Sequence, residues 1–321
     1  MACSVSVLTI VESNIESIAG YSMKVGVIGL GDIATKAYLP ILATNQNIEP
    51  WICTRNPEVL QRYSQQYRIK KCYEDFHKLI SDGPDIVFIH SATDSHYAIA
   101  KACLNAGIPT FIDKPISYSF AECEDIIELA KQKKLQLHIG FNRRFAPLYK
   151  NFFGKKPIHI YYQKNRFNLP ADPRVFVYDD FIHVLDTLLF LSKGKTQDLN
   201  IQPCFIEDKL ASIWVNWRND GSIFTAEMNR VSGMTEELLQ FTSENEKWHI
   251  ANLSEGIHYS NNQSQPLKFN DWENTLKKRG FVDMINHVLH HVNANLPCDY
   301  DSMLASHRLC EIVVQRMQTK T

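Results

Sequence analysis

The run Val25-Gly26-Val27-Ile28-Gly29-Leu30-Gly31-Asp32-Ile33-Ala34 leaves a chain few folds to choose from. An apolar, β-branched stretch ends on two glycines one residue apart, and an alanine follows three positions later. That pattern predicts a buried strand that turns at once into a helix. Gly29 permits the tight turn, Gly31 lets a ligand approach the backbone, and Ala34 lets the helix lie close to the strand. The N–H groups of the turn and the positive end of the helix then face one point in space, where a pyrophosphate is favoured. Gly29, Gly31, Asp32, Ile33 and Ala34 are therefore expected to line a dinucleotide site. The spacing by itself is a weak signal; its place between strand and helix carries the reading.

From Met23 to about Phe141, short apolar runs alternate with amphipathic segments, as in repeated βαβ units. The strand candidates are Val25–Ile28, Ile48–Cys53, Asp85–Ser91, Thr110–Asp113 and Gln136–Phe141. Asn56-Pro57-Glu58 opens a helix to about Tyr67, Asp94 is the expected cap of a helix that Gly107 closes, and Ser119–Lys134 reads as another. The second half changes texture. Ile158–Lys164, Leu210–Arg218, Ser222–Arg230, Leu238–Ser243 and Lys247–Asn252 alternate like strands, with Asn219-Asp220-Gly221 as a hairpin turn. Helices are expected over Tyr178–Leu191, Trp272–Asn293 and Tyr300–Met317. The fold class is α/β: a doubly wound parallel Rossmann sheet, then an α+β domain with a large, mostly antiparallel sheet. The expected domains are 23–145 for the dinucleotide and 146–321 for substrate and oligomerisation, the last helix packing back on the first domain.

Composition narrows the function. The 34 basic and 35 acidic residues nearly cancel, which excludes the basic excess of a nucleic-acid or membrane-surface binder. Eight cysteines show no C-x-x-C spacing, so they read as small core residues in a reducing cytoplasm. Residues 1–22 lack both a basic n-region and the length of a span, and are read as an extension outside the fold, with Met23 as the alternative native start. Within Ala211–Arg218, Ala211, Ile213, Val215 and Trp217 share one face while Trp214 points away. Either a loop of the same chain covers Trp214, or this sheet packs on a second copy, giving a homodimer or homotetramer.

Cofactor choice is read at the end of the second strand. An acidic side chain there would accept hydrogen bonds from the ribose of NAD, but Ile52-Cys53-Thr54-Arg55-Asn56 holds none. Thr54 can hydrogen-bond to a 2′-phosphate and Arg55 can neutralise it, so NADP(H) is favoured, with NAD(H) as the alternative. Asp179, His183 and Asp186 fall at i, i+4 and i+7, which on a regular helix gives one face. Alone, such a stripe is more often a salt-bridged helix face than a site.

Ser95-His96, Asp113-Lys114-Pro115 and Asp179-x-x-x-His183-x-x-Asp186, joined to the glycine loop, resemble the Gfo/Idh/MocA family of nicotinamide-dependent oxidoreductases over nearly the whole chain from Met23. Gly140-Phe141-Asn142-Arg143-Arg144-Phe145-Ala146-Pro147, Asp179–Thr187 and Lys278-Arg279-Gly280-Phe281 are similar to its MviM-type members. The resemblance implies that Lys114 lies near the nicotinamide and the substrate hydroxyl. A partly desolvated lysine beside a cationic ring gives up its proton more readily, which suits a relay. Pro115 restrains the backbone there and is compatible with a cis peptide. Asp113 stands where the family usually has Glu, one methylene longer. Ser91, Thr93, His96 and Asp113 join the cofactor set. His183 becomes the candidate base and Asp179 its partner or a substrate ligand, while Asp186 braces the histidine or the helix. Asn142 and Arg143 are expected to border the cleft and contact substrate; Arg144 is equally a salt-bridge candidate. Lys164 and Arg166 are weaker candidates for anionic substrate groups. No metal is expected, because hydride transfer with an acid–base pair needs none. The implied activity is a hydride transfer between NADP(H) and a small polyol, sugar or related carbonyl compound. The rival reading is a dinucleotide-binding regulatory protein of the same fold; the presence of Lys114, Asp179 and His183 weighs against it.

Overall fold

The computed structural model describes residues 22–318, so the expected N-terminal extension lies, but for Ser22, outside the described residues. Two compact units are formed. One runs up to Ser117 and takes in Glu122–Gly140 and Val282–Tyr300; the other comprises Tyr118–Ala121, Phe141–Phe281 and the chain from Asp301.

In the first unit, β1 (Met23–Ile28), β2 (Ile48–Cys53), β3 (Lys71–Tyr73), β4 (Ile86–Ile89), β5 (Thr110–Ile112) and β6 (Leu137–Ile139) form a sheet in the order β3-β2-β1-β4-β5-β6. Every pairing in it is parallel. Strands buried on both faces need continuous apolar runs, and Val25, Val27 and Ile86–Ile89 are buried accordingly. Burial of each such side chain stabilises by about 1.5–3 kcal/mol. The helices are α1 (Leu39–Leu42), entered through a π-helical turn at Ala34–Tyr38, then α2 (Pro57–Tyr67), α3 (Phe76–Ser81), α4 (Thr93–Asn105) and α5 (Phe120–Lys133). Asn56 caps α2 by accepting from the N–H groups of Glu58 and Val59. The expected cap of α4 is displaced: Ala92 is the N-cap and Asp94 falls in the first turn, because Ser95 Oγ donates back to the Ala92 carbonyl at 2.7 Å. Edge strand β3 escapes the sequence pattern because its residues are exposed or half-buried.

The second unit is built on an eight-stranded sheet of β7 (His159–Phe167), β8 (Gln197–Ile206), β9 (Lys209–Asn219), β10 (Ser222–Ser232), β11 (Glu236–Ser243), β12 (Glu246–Ala251), β13 (Glu255–Ser260) and β14 (Gln263–Leu267). Their order is β14-β13-β12-β11-β7-β10-β9-β8, with β7 and β10 parallel and all other neighbours antiparallel. Ile160 and Tyr162 of β7, Ile213, Val215 and Trp217 of β9 and Phe224, Ala226 and Met228 of β10 are buried on one face. Helix α6 (Pro173–Phe176) leads through a π-helical turn at Val177–Phe181 into α7 (Ile182–Leu191), which packs on β7 and β10. The expected helix at Trp272–Asn293 is broken. Gly280, at φ +81°, separates α8 (Thr275–Lys278) from α9 (Phe281–Asn293), and a Cβ there would collide with the Asn142 carbonyl. Helix α10 (Tyr300–Gln318) follows. Trp214 is 41% exposed, so no loop of the described chain covers it. No described helix is long and apolar enough to cross a membrane.

Candidate active site

In the first unit the site grows from the turn after β1. Gly29 sits at φ +90°, and a Cβ on it would lie 2.5 Å from the Ser91 amide nitrogen and 2.7 Å from the His90 carbonyl carbon. Only glycine lets the loops after β1 and β4 approach so closely. Gly31 differs: a Cβ there would meet nothing within 4 Å. That space is open at the start of a helix, which leaves room for a ligand to approach the backbone. Ala34 is fully buried, Ile33 is 39% exposed, and Asp32 pairs with Lys36 at 2.6 Å in solvent. These residues fit a bound dinucleotide. At the end of β2 the Thr54 hydroxyl accepts from the Asn56 N–H at 3.4 Å, and Arg55 is exposed.

The loops after β4 and β5 complete this half. The Ser91 and Ser95 hydroxyls lie within hydrogen-bond distance, 2.7 Å, and Thr93 opens α4. His96 is buried, with Nδ1 2.8 Å from the Pro115 carbonyl and Nε2 2.9 Å from that of Ser91. A doubly protonated ring satisfies both acceptors and a neutral ring only one. His96 thereby ties the α4 start to the Asp113-Lys114-Pro115 turn, where the Lys114–Pro115 peptide is cis. Asp113 accepts from the Lys114 N–H at 3.0 Å and from the Tyr38 hydroxyl at 3.3 Å. Burial pushes its carboxyl above the usual range, although the charges of Lys114 and His96 pull the other way. Tyr38, a partner the motif reading missed, lies in the π-turn behind the glycine loop; a tyrosine in an otherwise ordinary helix gives no signal of it.

In the second unit the informative stretch is Phe176–Leu189. Every residue in it is buried except Asp179 and His183. The π-turn adds a residue to the helical turn just before α7, and such turns recur at functional sites. Asp179 and His183 are half-buried there, whereas Asp186 is fully buried. Asp186 is 1% exposed, accepts from Arg144 Nε at 3.0 Å and from Ser306 Oγ at 2.7 Å, and so braces the helix. Arg144 is its salt-bridge partner. The Tyr118 hydroxyl donates to Asp179 at 2.6 Å, a contact from distant sequence that no local pattern predicts.

The residues after β6 have another role than the one expected. Arg143 is buried and grips Glu237, with Nε–Oε1 2.5 Å and Nη2–Oε2 2.8 Å, while Nη1 donates to Asn142. Asn142 in turn donates to the Arg279 carbonyl at 2.8 Å. Both residues, expected to contact substrate, are buried and hydrogen-bonded within the unit. Burial opposes ionisation of Glu237, but Arg143 and Lys164 overcome it and hold the carboxyl well below its ordinary range. Lys164 is also buried, 2.5 Å from Asp180, and Arg166 makes a two-point contact with the same carboxylate at 2.7 and 3.0 Å.

Comparison with known proteins places the chain in a family. Residues 23–141 match the model of an oxidoreductase family with an NAD-binding Rossmann fold, Gfo/Idh/MocA, and residues 149–260 match the YceM-like C-terminal domain. The YceM protein of Salmonella typhimurium is 30% identical over 283 residues, which span 84% of this chain and 89% of that one. A Gfo/Idh/MocA family oxidoreductase from Vibrio cholerae, known by its crystal structure, superposes with a TM-score of 0.89 at 37% identity, over 93% of this chain and 99% of its own. An inositol 2-dehydrogenase/D-chiro-inositol 3-dehydrogenase of Lactiplantibacillus plantarum is 34% identical over 132 residues, 39% of this chain and 37% of its own. This chain belongs to the Gfo/Idh/MocA family of NAD-binding oxidoreductases.

Proposed function

We propose that the protein is a dehydrogenase or reductase acting on a CH–OH group of a polyol, sugar or related carbonyl compound, with NADP(H) preferred over NAD(H). The observation that carries this reading is the pair Asp179 and His183, the two side chains with solvent access in a buried helical stretch. The His183 imidazole can take the proton of a substrate hydroxyl and return it in the reverse direction, while Asp179, held by Tyr118, orients the substrate or supports the relay. Lys114, following the C-terminal end of β5 where open α/β sheets place ligands, is the second proton-handling group. When bound, the nicotinamide supplies the acceptor or donor of the hydride. Gly29, Gly31, Ala34, Ser91 and Thr93 shape its site, and Thr54 and Arg55 are read as the groups that accept a 2′-phosphate. The inositol dehydrogenase likeness covers mainly the cofactor half, so it supports the reaction class more than the substrate.

The open face of the second unit's sheet, with Trp214 on it, supports self-association as a homodimer or homotetramer. Buried Cys53, Cys103, Cys123 and Cys310 act as small core residues, which supports a cytoplasmic setting. The test of the function is Lys114→Met assayed against a polyol and sugar panel with both cofactors. Turnover is expected to vanish while dinucleotide affinity stays at the wild-type value. Unimpaired turnover refutes the mechanism. Tight dinucleotide binding without turnover in the wild type, together with a stoichiometric protein partner, establishes the regulatory reading instead.

A further inference from the structure

On the buried face of the eight-stranded sheet, one end carries more positive charge than the chain itself neutralises. Register places Lys164 of β7 between Met228 of β10 and Glu237 of β11, and Arg230 lies two residues beyond Met228 on the same face. Lys164 is 2% exposed and Arg230 5%. The carboxylate nearest to all three is Asp180, in the π-turn. It lies 2.5 Å from Lys164 Nζ, 2.7 Å from Arg166 Nε and 3.7 Å from Arg230 Nη2. The other buried carboxylate at this end, Glu237, is bonded by Arg143 and Tyr162 and also feels the charge of Lys164. Four cations, Arg143, Lys164, Arg166 and Arg230, thus share two anions. Adding Asp179, whose charge also reaches Arg230, still leaves an excess of cations.

The second observation concerns hydrogen bonds. Nε and Nη1 of Arg230 have no hydrogen-bond partner among the described residues. Arg230 rests on the Phe176 ring, 5.1 Å from its centroid. A buried guanidinium with two idle nitrogens is costly, since each unmet donor has given up its hydrogen bonds to water, and the more so when charged. Such an arrangement is stable where an incoming anion completes it.

We propose that Arg230, with Lys164 and Arg166, forms a subsite for an anionic group, a carboxylate or a phosphate, carried by the substrate. Asp180 is the residue after Asp179, so the anion binds beside the pair read as proton-handling. The substrate class is accordingly an acidic or phosphorylated sugar or polyol, in place of a neutral one. Burial lowers the pKa of Lys164 to about 7 and that of Arg230 from its usual value, against the pull of Asp180 on both.

The inference rests on the dehydrogenase reading only for which molecule brings the anion; the subsite itself is tested by binding, without turnover. The full-length protein is titrated calorimetrically with D-glucose 6-phosphate, D-glucuronate, orthophosphate and D-glucose, comparing wild type with Arg230→Met and Arg230→Lys. At least one anion is expected to bind the wild type about 10- to 100-fold more tightly than glucose, the range of one or two charged hydrogen bonds. Which anion binds best separates the phosphate from the carboxylate source. Arg230→Met is expected to remove that advantage while dinucleotide affinity, a property of the other unit, is unchanged. Should the methionine variant not fold, Arg230→Lys keeps the charge without the planar fork and is expected to lose about tenfold. The subsite is overturned if no anion outbinds glucose, or if a folded Arg230 variant binds the anion as wild type does. Anion binding that depends on Arg230 in a protein that turns over no polyol or sugar with either cofactor sinks the dehydrogenase reading and leaves the subsite standing.

Discussion

Two glycines separated by one residue are expected to answer oppositely to the same substitution. At Gly29, alanine must hold φ near +90°, and its Cβ would sit 2.5 Å from the Ser91 nitrogen and 2.7 Å from the His90 carbonyl carbon. Positive φ costs an alanine about 1–2 kcal/mol, and a methyl driven against backbone that cannot swing aside costs roughly 1–3 kcal/mol more. Gly29→Ala should therefore destabilise by about 2–5 kcal/mol, a large fraction of the ~5–15 kcal/mol that holds a domain. At Gly31 the same methyl meets nothing within 4 Å. Gly31→Ala should change stability by no more than about 0.5 kcal/mol. What it does fill is the space assigned to the diphosphate, so its loss should appear as weakened dinucleotide binding, about tenfold or more. Guanidinium unfolding followed by tryptophan fluorescence gives the first quantity, and calorimetric titration with NADPH and NADH gives the second. A Gly31→Ala protein that binds both dinucleotides as wild type refutes the placement of the phosphates. A Gly29→Ala protein of full stability refutes the steric argument.

Other expectations follow from particular side chains. Arg55→Asp should shift the ratio of kcat/KM for NADPH over NADH toward NADH by about tenfold or more, through loss of a charge-assisted contact and added repulsion; an unchanged ratio removes Arg55 from 2′-phosphate recognition. Buried His90 and His138 have pKa values lowered from 6.5 to about 3, in both cases chiefly by desolvation. The unfolded chain protonates them near 6.5 while the folded state keeps them neutral, so their contribution is intact above that pH and lost as the pH falls toward the folded values. Each should steepen acid destabilisation by about 1.4 kcal/mol per pH unit, and His90→Leu, measured by denaturant midpoints from pH 7 to 5, should flatten it by that amount. An identical pH slope in the variant would exclude His90. Trp214→Glu should drive the protein toward monomer in light scattering coupled to size exclusion; an unaltered mass would show that this face is not the contact.

What could be read locally was read correctly where an element carries its own buried face. The alternation in Ala211–Trp217 is the burial pattern of β9, and Asn56-Pro57 begins α2 as their side chains and φ preferences require. The strands without a buried face, β3, β8, β13 and β14, carry no such signal, whether at an edge or, like β13, inside the sheet. β8 and β14 lie at the two ends of the sheet with mostly exposed residues, and each contains a proline tolerated because an edge leaves N–H positions unpaired. Without an apolar face there is no period to detect.

The sequence by itself determined the glycine loop and the strand–helix alternation around it, because backbone geometry is set within a few residues; Lys114, Asp179 and His183 are singled out by the family resemblance and not by their spacing. Tertiary structure decided which charges are spent and which are left over. Arg143 meets Glu237, Asp186 meets Arg144 and Ser306, and Tyr118 reaches Asp179, all across long stretches of chain. The excess of cations around Asp180 exists only because strand register sets Lys164 and Arg230 on one buried face. Coulomb energies depend on distance and on exclusion of water, and neither is a property of spacing along the chain.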